Sequence, residues 1–104
     1  MAPATASPRL LFFTTARSGP GRRMESLLAQ VAQRERDRLR VSVVDVDISP
    51  KLCNLLGVSE VPTLVLLAGG KPVARLEGRA SAPEIERLLA EHLPAGNPDR
   101  SLAA

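Results

Sequence analysis

Gly57-Val58-Ser59-Glu60-Val61-Pro62-Thr63-Leu64-Val65-Leu66-Leu67-Ala68-Gly69-Gly70-Lys71-Pro72-Val73-Ala74-Arg75-Leu76-Glu77-Gly78 is the stretch whose reading decides the fold. Thr63 to Leu67 is a short apolar run closed by a turn signal, the pattern of a strand. Gly69-Gly70 is a hairpin signal, and Val73 to Glu77 follows as the returning strand. Pro72 at its start cannot donate to a ladder, so that strand belongs at a sheet edge. Gly57 stands where a helix would stop.

Upstream, Ser49-Pro50 is a cap followed by a first-turn proline, and a short helix with Leu52, Leu55 and Leu56 fills the span to Gly57. Val41 to Val46 is β-branched and reads as a buried strand. Before it, Met24, Leu27, Leu28, Val31 and Ala32 recur at helical spacing and make one apolar stripe. Arg17-Ser18-Gly19-Pro20-Gly21 is a breaker cluster, with Ser18 placed to cap that helix and Pro20 in its first turn. Leu10 to Thr15 is apolar and β-branched, a further buried strand. Downstream, Ser81-Ala82-Pro83-Glu84 is a capping box, and Ile85, Leu88 and Leu89 give the last helix its inner face.

The predicted order is β-α-β-α-β-β-α, an α/β fold with a four-stranded mixed sheet and helices on both faces. Residues 9–93 form the domain. Residues 1–8 and 94–104 are expected to be flexible tails.

Composition narrows the function. The chain has 104 residues, 44% hydrophobic and 24% charged, the mix of one globular domain. Its single cysteine and single histidine exclude an internal disulfide, a Cys-x-x-Cys pair and a multi-thiolate zinc site. No cofactor is expected. The net charge is +3, and the basic residues are arginines apart from Lys51 and Lys71. With only Phe12 and Phe13 as aromatics, both in an apolar run, no base-stacking platform is visible and nucleic acid is not expected as a partner. No apolar run is long enough to cross a bilayer, and no secretory signal is legible, so the cytoplasm is the expected compartment.

The element order and four local features resemble the thioredoxin family from about Leu10 to Leu93. Ser18-Gly19-Pro20-Gly21 stands where that family carries Cys-Gly-Pro-Cys. Asp45-Val46-Asp47 ends a strand as the family's does. Gly57-Val58-Ser59-Glu60-Val61-Pro62-Thr63 is similar to its Gly-Val/Ile-x-x-Ile/Val-Pro-Thr segment, whose proline is cis, and Gly70 and Gly78 fall at family spacing. With nine residues ahead of Leu10, the family's first strand and helix are expected to have no counterpart, and a minimal core is expected.

The resemblance also exposes departures. Ser18 and Gly21 replace both redox cysteines, and Arg17 replaces the preceding tryptophan. The family's buried acid, which assists proton transfer at those cysteines, aligns with Phe12, and its lysine partner aligns with Val43. A buried carboxylate is costly, and without the dithiol nothing rewards keeping it. The resemblance therefore implies a thioredoxin fold without dithiol chemistry.

Each candidate residue has a plain reading beside the functional one. Ser18 is a helix cap, or an anion-binding hydroxyl at a helix N-terminus. Cys53 is a small packing residue, or a single reactive thiol. Pro62 shapes the entry to its strand, or holds the backbone of Glu60 and Val61 ready to pair with an extended ligand, as the family's does. Arg17, Arg22 and Arg23 are a solvated surface, or a site for an anionic partner where the helix dipole already disfavours cations. His92 is given no role.

The expected function is a redox-inactive module that binds an extended or acidic segment of another protein. Its site is Arg17, Ser18, Gly19, Pro20, Gly21, Glu60, Val61, Pro62 and Thr63, and the protein is a monomer or weak dimer. The alternative is a thiol-disulfide oxidoreductase working through Cys53 or a partner's cysteine.

Overall fold

A computed structural model of the chain describes residues 8–16 and 19–93. The elements are β1 (Arg9–Thr14), α1 (Gly19–Arg34), β2 (Arg40–Asp45), α2 (Pro50–Leu56), β3 (Thr63–Ala68), β4 (Lys71–Glu77) and α3 (Ala82–His92). They form one four-stranded sheet in the order β2-β1-β3-β4. β1 runs parallel to β2 and antiparallel to β3, and β3–β4 is an antiparallel hairpin. The seven elements follow the predicted order, and residues 1–7, 17, 18 and 94–104, with the expected tails and the Ser18 cap, lie outside the described residues.

The alternation of side chains along a strand divides the core in two. Leu10 and Phe12 of β1 join Leu64 and Leu66 of β3 on one face, under Met24, Leu28 and Val31 of α1 and Ile85, Leu88 and Leu89 of α3. Leu11, Phe13 and Val65 point the other way and pack with Val44 and Cys53 beneath α2. Both faces of β1 and β3 are therefore covered, which explains their unbroken apolar runs.

Ser81 caps α3 as its sequence implies, whereas Ser49 stands before α2 with no side-chain cap hydrogen bond. Ser81 Oγ accepts from the Glu84 amide and Glu84 Oε1 accepts from the Ser81 amide, completing the capping box. Gly57 ends α2 at φ 69°, a left-handed conformation that favours glycine. Gly69 and Gly70 turn the hairpin, both at positive φ. Pro72 does lie on an edge strand, beside a register shift between Leu66 and Leu67.

One reading is corrected. β2 is not a buried strand but the other edge of the sheet: Val44 is buried, whereas Val43 is 51% exposed. A β-branched run gives the same sequence signal at an edge as inside a sheet, since only the neighbouring strand differs. The short helix with Leu52, Leu55 and Leu56 forms as read, with Leu55 79% exposed and Cys53 the residue buried there. The helix has barely two turns, too few for its periodicity to say which leucines face inward.

Candidate functional site

The register brings the candidate segments to one end of the sheet. Phe13 pairs with Thr63, so the end of β1, from which the chain leads toward α1, adjoins the start of β3. Thr14 pairs with Asp45, and Thr63 with Glu77, which adds the ends of β2 and β4.

Pro62 is entered through a cis Val61–Pro62 peptide. Three contacts fix this segment. The Gly78 amide donates to the Pro62 carbonyl at 2.8 Å. The Thr63 hydroxyl, fully buried, donates to the Glu60 carbonyl at 2.7 Å. One side of the loop is clamped from β4: the Arg75 guanidinium donates to the Gly57 carbonyl at 3.2 Å and also to the Leu56 carbonyl, satisfying acceptors that the end of α2 leaves open. Arg75 was not singled out in the sequence, where it is one polar residue on an alternating strand.

Val61 has a divided role. Its side chain packs against the α2-side core. Its backbone N–H and C=O have no hydrogen-bond partner among the described residues. Beside it opens a cleft of about 260 Å³, lined by Val46, Pro50, Cys53, Asn54 and Val58 to Val61. Cys53 is 8% exposed at the base of this apolar face.

The start of α1 lies on a separate cleft of about 280 Å³, lined by Thr14, Thr15, Ala16, Arg22, Glu25, Val43 and Asp45. Arg22 and Arg23 are exposed, and no acidic residue sits in the first turn of α1. Arg22 donates to the Ala16 carbonyl at 3.4 Å. A Cβ built on Gly19 would meet nothing within 4 Å, so the helix start is open there. Arg17 and Ser18 are outside the described residues, and the remaining candidates of this half, Gly19, Pro20 and Gly21, open α1, with Arg22 and Arg23 following them. Glu60, Val61 and Cys53 share one cleft and Arg22 lines the other.

Sequence reading missed the acids at this end. Asp45 Oδ1 accepts from the Asp47 amide at 2.9 Å, and Asp47 Oδ2 accepts from the Thr15 hydroxyl at 3.4 Å. Asp45-Val46-Asp47 carried the signal, as two acids at a strand end. No group of three or more His, Cys, Asp or Glu residues suited to a metal is present among the described residues. No described helix is long and apolar enough to cross a membrane.

The thioredoxin family profile, described as Thioredoxin, matches residues 4–91. This chain belongs to the thioredoxin family. It is 35% identical over 86 residues to a thioredoxin of Alicyclobacillus acidocaldarius, covering 83% of this chain and 82% of that one. A thioredoxin-like protein of Synechocystis is 32% identical over 86% of this chain and 85% of its own. Among solved structures, the germline-specific thioredoxin Deadhead of Drosophila melanogaster superposes with a TM-score of 0.78 at 26% identity, covering 86% of this chain and 84% of that one. A mutant thioredoxin of Halobacterium salinarum gives 0.79 at 26% identity, over 90% and 81%.

The family resemblance sets Phe12 and Val43 against a buried acid and its lysine partner. They are direct neighbours across β1 and β2. Phe12 is wholly buried, whereas Val43 opens to solvent, so the desolvation argument applies to Phe12 alone.

Proposed function

We propose that this thioredoxin-family protein is a redox-inactive module that binds an extended segment of another protein along the Val61 backbone. The observation that carries the reading is the split role of Val61: a side chain anchored in the core and an amide and carbonyl with no partner among the described residues. Such a pair of groups can take one strand-like partner by main-chain hydrogen bonding. Ser18 and Gly21 at the dithiol positions, with a lone cysteine elsewhere, support the absence of dithiol chemistry.

The charges set the partner's polarity. Arg22 and Arg23 favour acidic side chains near the start of α1, with Arg17 adding to the charge. Glu60 disfavours them beside Val61. The segment is therefore acidic toward the arginines and neutral or basic where it crosses Val61.

The alternative is single-thiol exchange. Cys53 lining the same cleft as Val61 favours it, and the burial of Cys53 opposes it.

Insulin-disulfide reduction with dithiothreitol separates the two. Turnover no faster than dithiothreitol alone is expected, and turnover matching a thioredoxin control would end the proposal. Activity that vanishes in Cys53→Ser would establish the alternative. For binding, extended peptides with an acidic half and a neutral half are titrated into isotopically labelled protein. The Val61 amide resonance should shift. Arg22→Glu with Arg23→Glu should weaken that binding without unfolding the protein, and salt should weaken it too.

A further inference from the structure

Two arginines stand side by side at the foot of the sheet. Arg9 opens β1 and Arg40 opens β2, and the parallel register makes them direct partners. Partners on neighbouring strands are about 4.8 Å apart, and their side chains leave the same face. That face is the α2 side. Leu11 follows Arg9 by two residues and Val44 follows Arg40 by four, and both belong to the cluster beneath α2. The Arg9 guanidinium donates to Ser42 Oγ at 2.9 Å, so it reaches across to the strand that already carries Arg40. Both arginines are exposed.

Like charges set opposite each other on adjacent strands are unfavourable unless an anion joins them. Among the described residues neither Arg9 nor Arg40 has an ion-pair partner. Glu35 is taken by Arg34 and Arg38, and Glu77, on the same face of the sheet, sits with Arg75. Asp45 ends β2 and Asp47 follows it, both away from Arg40 at the strand's start. Residues 1–7 contain no acid, and residues 94–104 contain one, Asp99. Wherever those residues run, they bring at most one acidic side chain to two guanidinium groups.

We propose that Arg9 and Arg40, with the Ser42 hydroxyl, form a site for one phosphate group carried on a side chain of another protein. A phosphomonoester brings nearly two negative charges and three acceptor oxygens, which match two guanidinium forks. A carboxylate brings one charge and two oxygens. Ser42 holds Arg9 in place before the ligand arrives. Its oxygen accepts from Arg9, and its own proton is left to donate to a phosphate oxygen.

The setting selects the carrier. Small molecules are held in concave sites, whereas these arginines are exposed and line neither cleft described above. A nucleic acid offers one charge per phosphate and needs aromatic platforms for its bases, and Phe12 and Phe13 are buried. A phosphorylated side chain of a partner protein meets both conditions. The site is independent of the Val61 reading, because it lies at the start of β1, about 17 Å from the end that adjoins β3's first residue.

The test titrates a short glycine-rich peptide bearing one phosphoserine into the isotopically labelled protein. The amides of Arg9, Arg40 and Ser42 and the Arg9 Nε resonance should shift, while the Val61 amide stays still. Arg9→Gln and Arg40→Gln, both at exposed positions, should keep the fold and raise the dissociation constant roughly tenfold or more. Arg40→Lys keeps the charge without the fork and should weaken binding several-fold. The same peptide with serine or glutamate in place of phosphoserine should bind far more weakly. The proposal is overturned if the phosphopeptide moves none of these resonances at millimolar concentration, if it binds both glutamine variants as tightly as wild type, or if the glutamate peptide matches it. Inorganic phosphate binding as tightly as the phosphopeptide overturns the protein carrier, and so does a single-stranded oligonucleotide that binds more tightly. Markedly tighter binding of the phosphopeptide to Asp99→Asn would show the arginines served from within the chain, which overturns it as well.

Discussion

Cys53 shows how placement decides the chemistry of a residue. Its thiol lies among Leu11, Phe13, Val44 and Val65, and buried apolar surroundings withhold it from reagents. Ellman's reagent should therefore react slowly with the folded protein and at once after unfolding. Rapid reaction in the native state would show an accessible thiol and revive the single-cysteine mechanism. Glu35, just beyond α1, is the clearest titrating group. The Arg38 guanidinium donating to Oε1 at 2.7 Å holds its carboxyl below the ordinary value; partial burial pushes back, and the charges of Arg38 and Arg34 add to the lowering. A lowered pKa in the folded state makes the ionised form a source of stability. That contribution is complete above the unfolded value of about 4.3 and is lost as pH falls through the folded one. Glu35→Gln should therefore be less stable than wild type near neutrality, and the two urea midpoints should converge as the medium is acidified below about pH 4. A gap that stays constant with pH would show that Glu35 acts through packing alone.

At the scale of elements, the caps and turns are where local sequence has most authority. Ser81→Ala removes one arm of the capping box on α3 and should cost about 1 kcal/mol in urea unfolding. Ser49→Ala should cost less, because the Ser49 side chain makes no cap hydrogen bond. Equal losses would mean that the geometry at Ser81 contributes nothing of its own. The same contrast shows what the sequence disclosed. Ser81, Gly57, Gly69, Gly70 and Pro72 act through backbone rules that involve only near neighbours, and all seven elements were legible from them together with the apolar runs. The exposure of Val43 and Leu55 was not, because it depends on which strand stands beside β2 and how α2 rolls on the sheet. The Arg75 clamp joins residues eighteen and nineteen positions apart, and nothing in the intervening sequence marks that contact. Of the candidate site, the Glu60 to Thr63 segment was legible, but that the Val61 backbone has no partner among the described residues emerges only when the hydrogen bonds are traced.

Across the whole molecule, the thioredoxin fold closes round a wholly apolar centre. Phe12 sits at the centre of the sheet, wholly buried between Leu10 and the helices α1 and α3, where the family resemblance implies an acid. In a dithiol protein an acid there has a task and a neighbouring cation. Here Val43 opposes Phe12 across β1–β2, and no basic side chain belongs to the surrounding apolar cluster. An ionised carboxylate would lose its hydration with nothing to replace it. Removing the ring would also leave a cavity, a loss of about 3–5 kcal/mol for Phe→Ala in a core. Domains of this kind are stable by only about 5–15 kcal/mol in total, so the two costs together consume much of the margin. Phe12→Asp should therefore leave the protein largely unfolded at neutral pH, with partial recovery in mild acid as the carboxyl takes up a proton. Phe12→Leu should stay folded with a modest loss. Circular dichroism melts of the three proteins test this directly. If Phe12→Asp melted within a few degrees of wild type at neutral pH, the site would still accommodate a charged acid. Phe12 would then be no sign that the redox apparatus had been given up, and its absence would have to be argued from Ser18 and Gly21 alone.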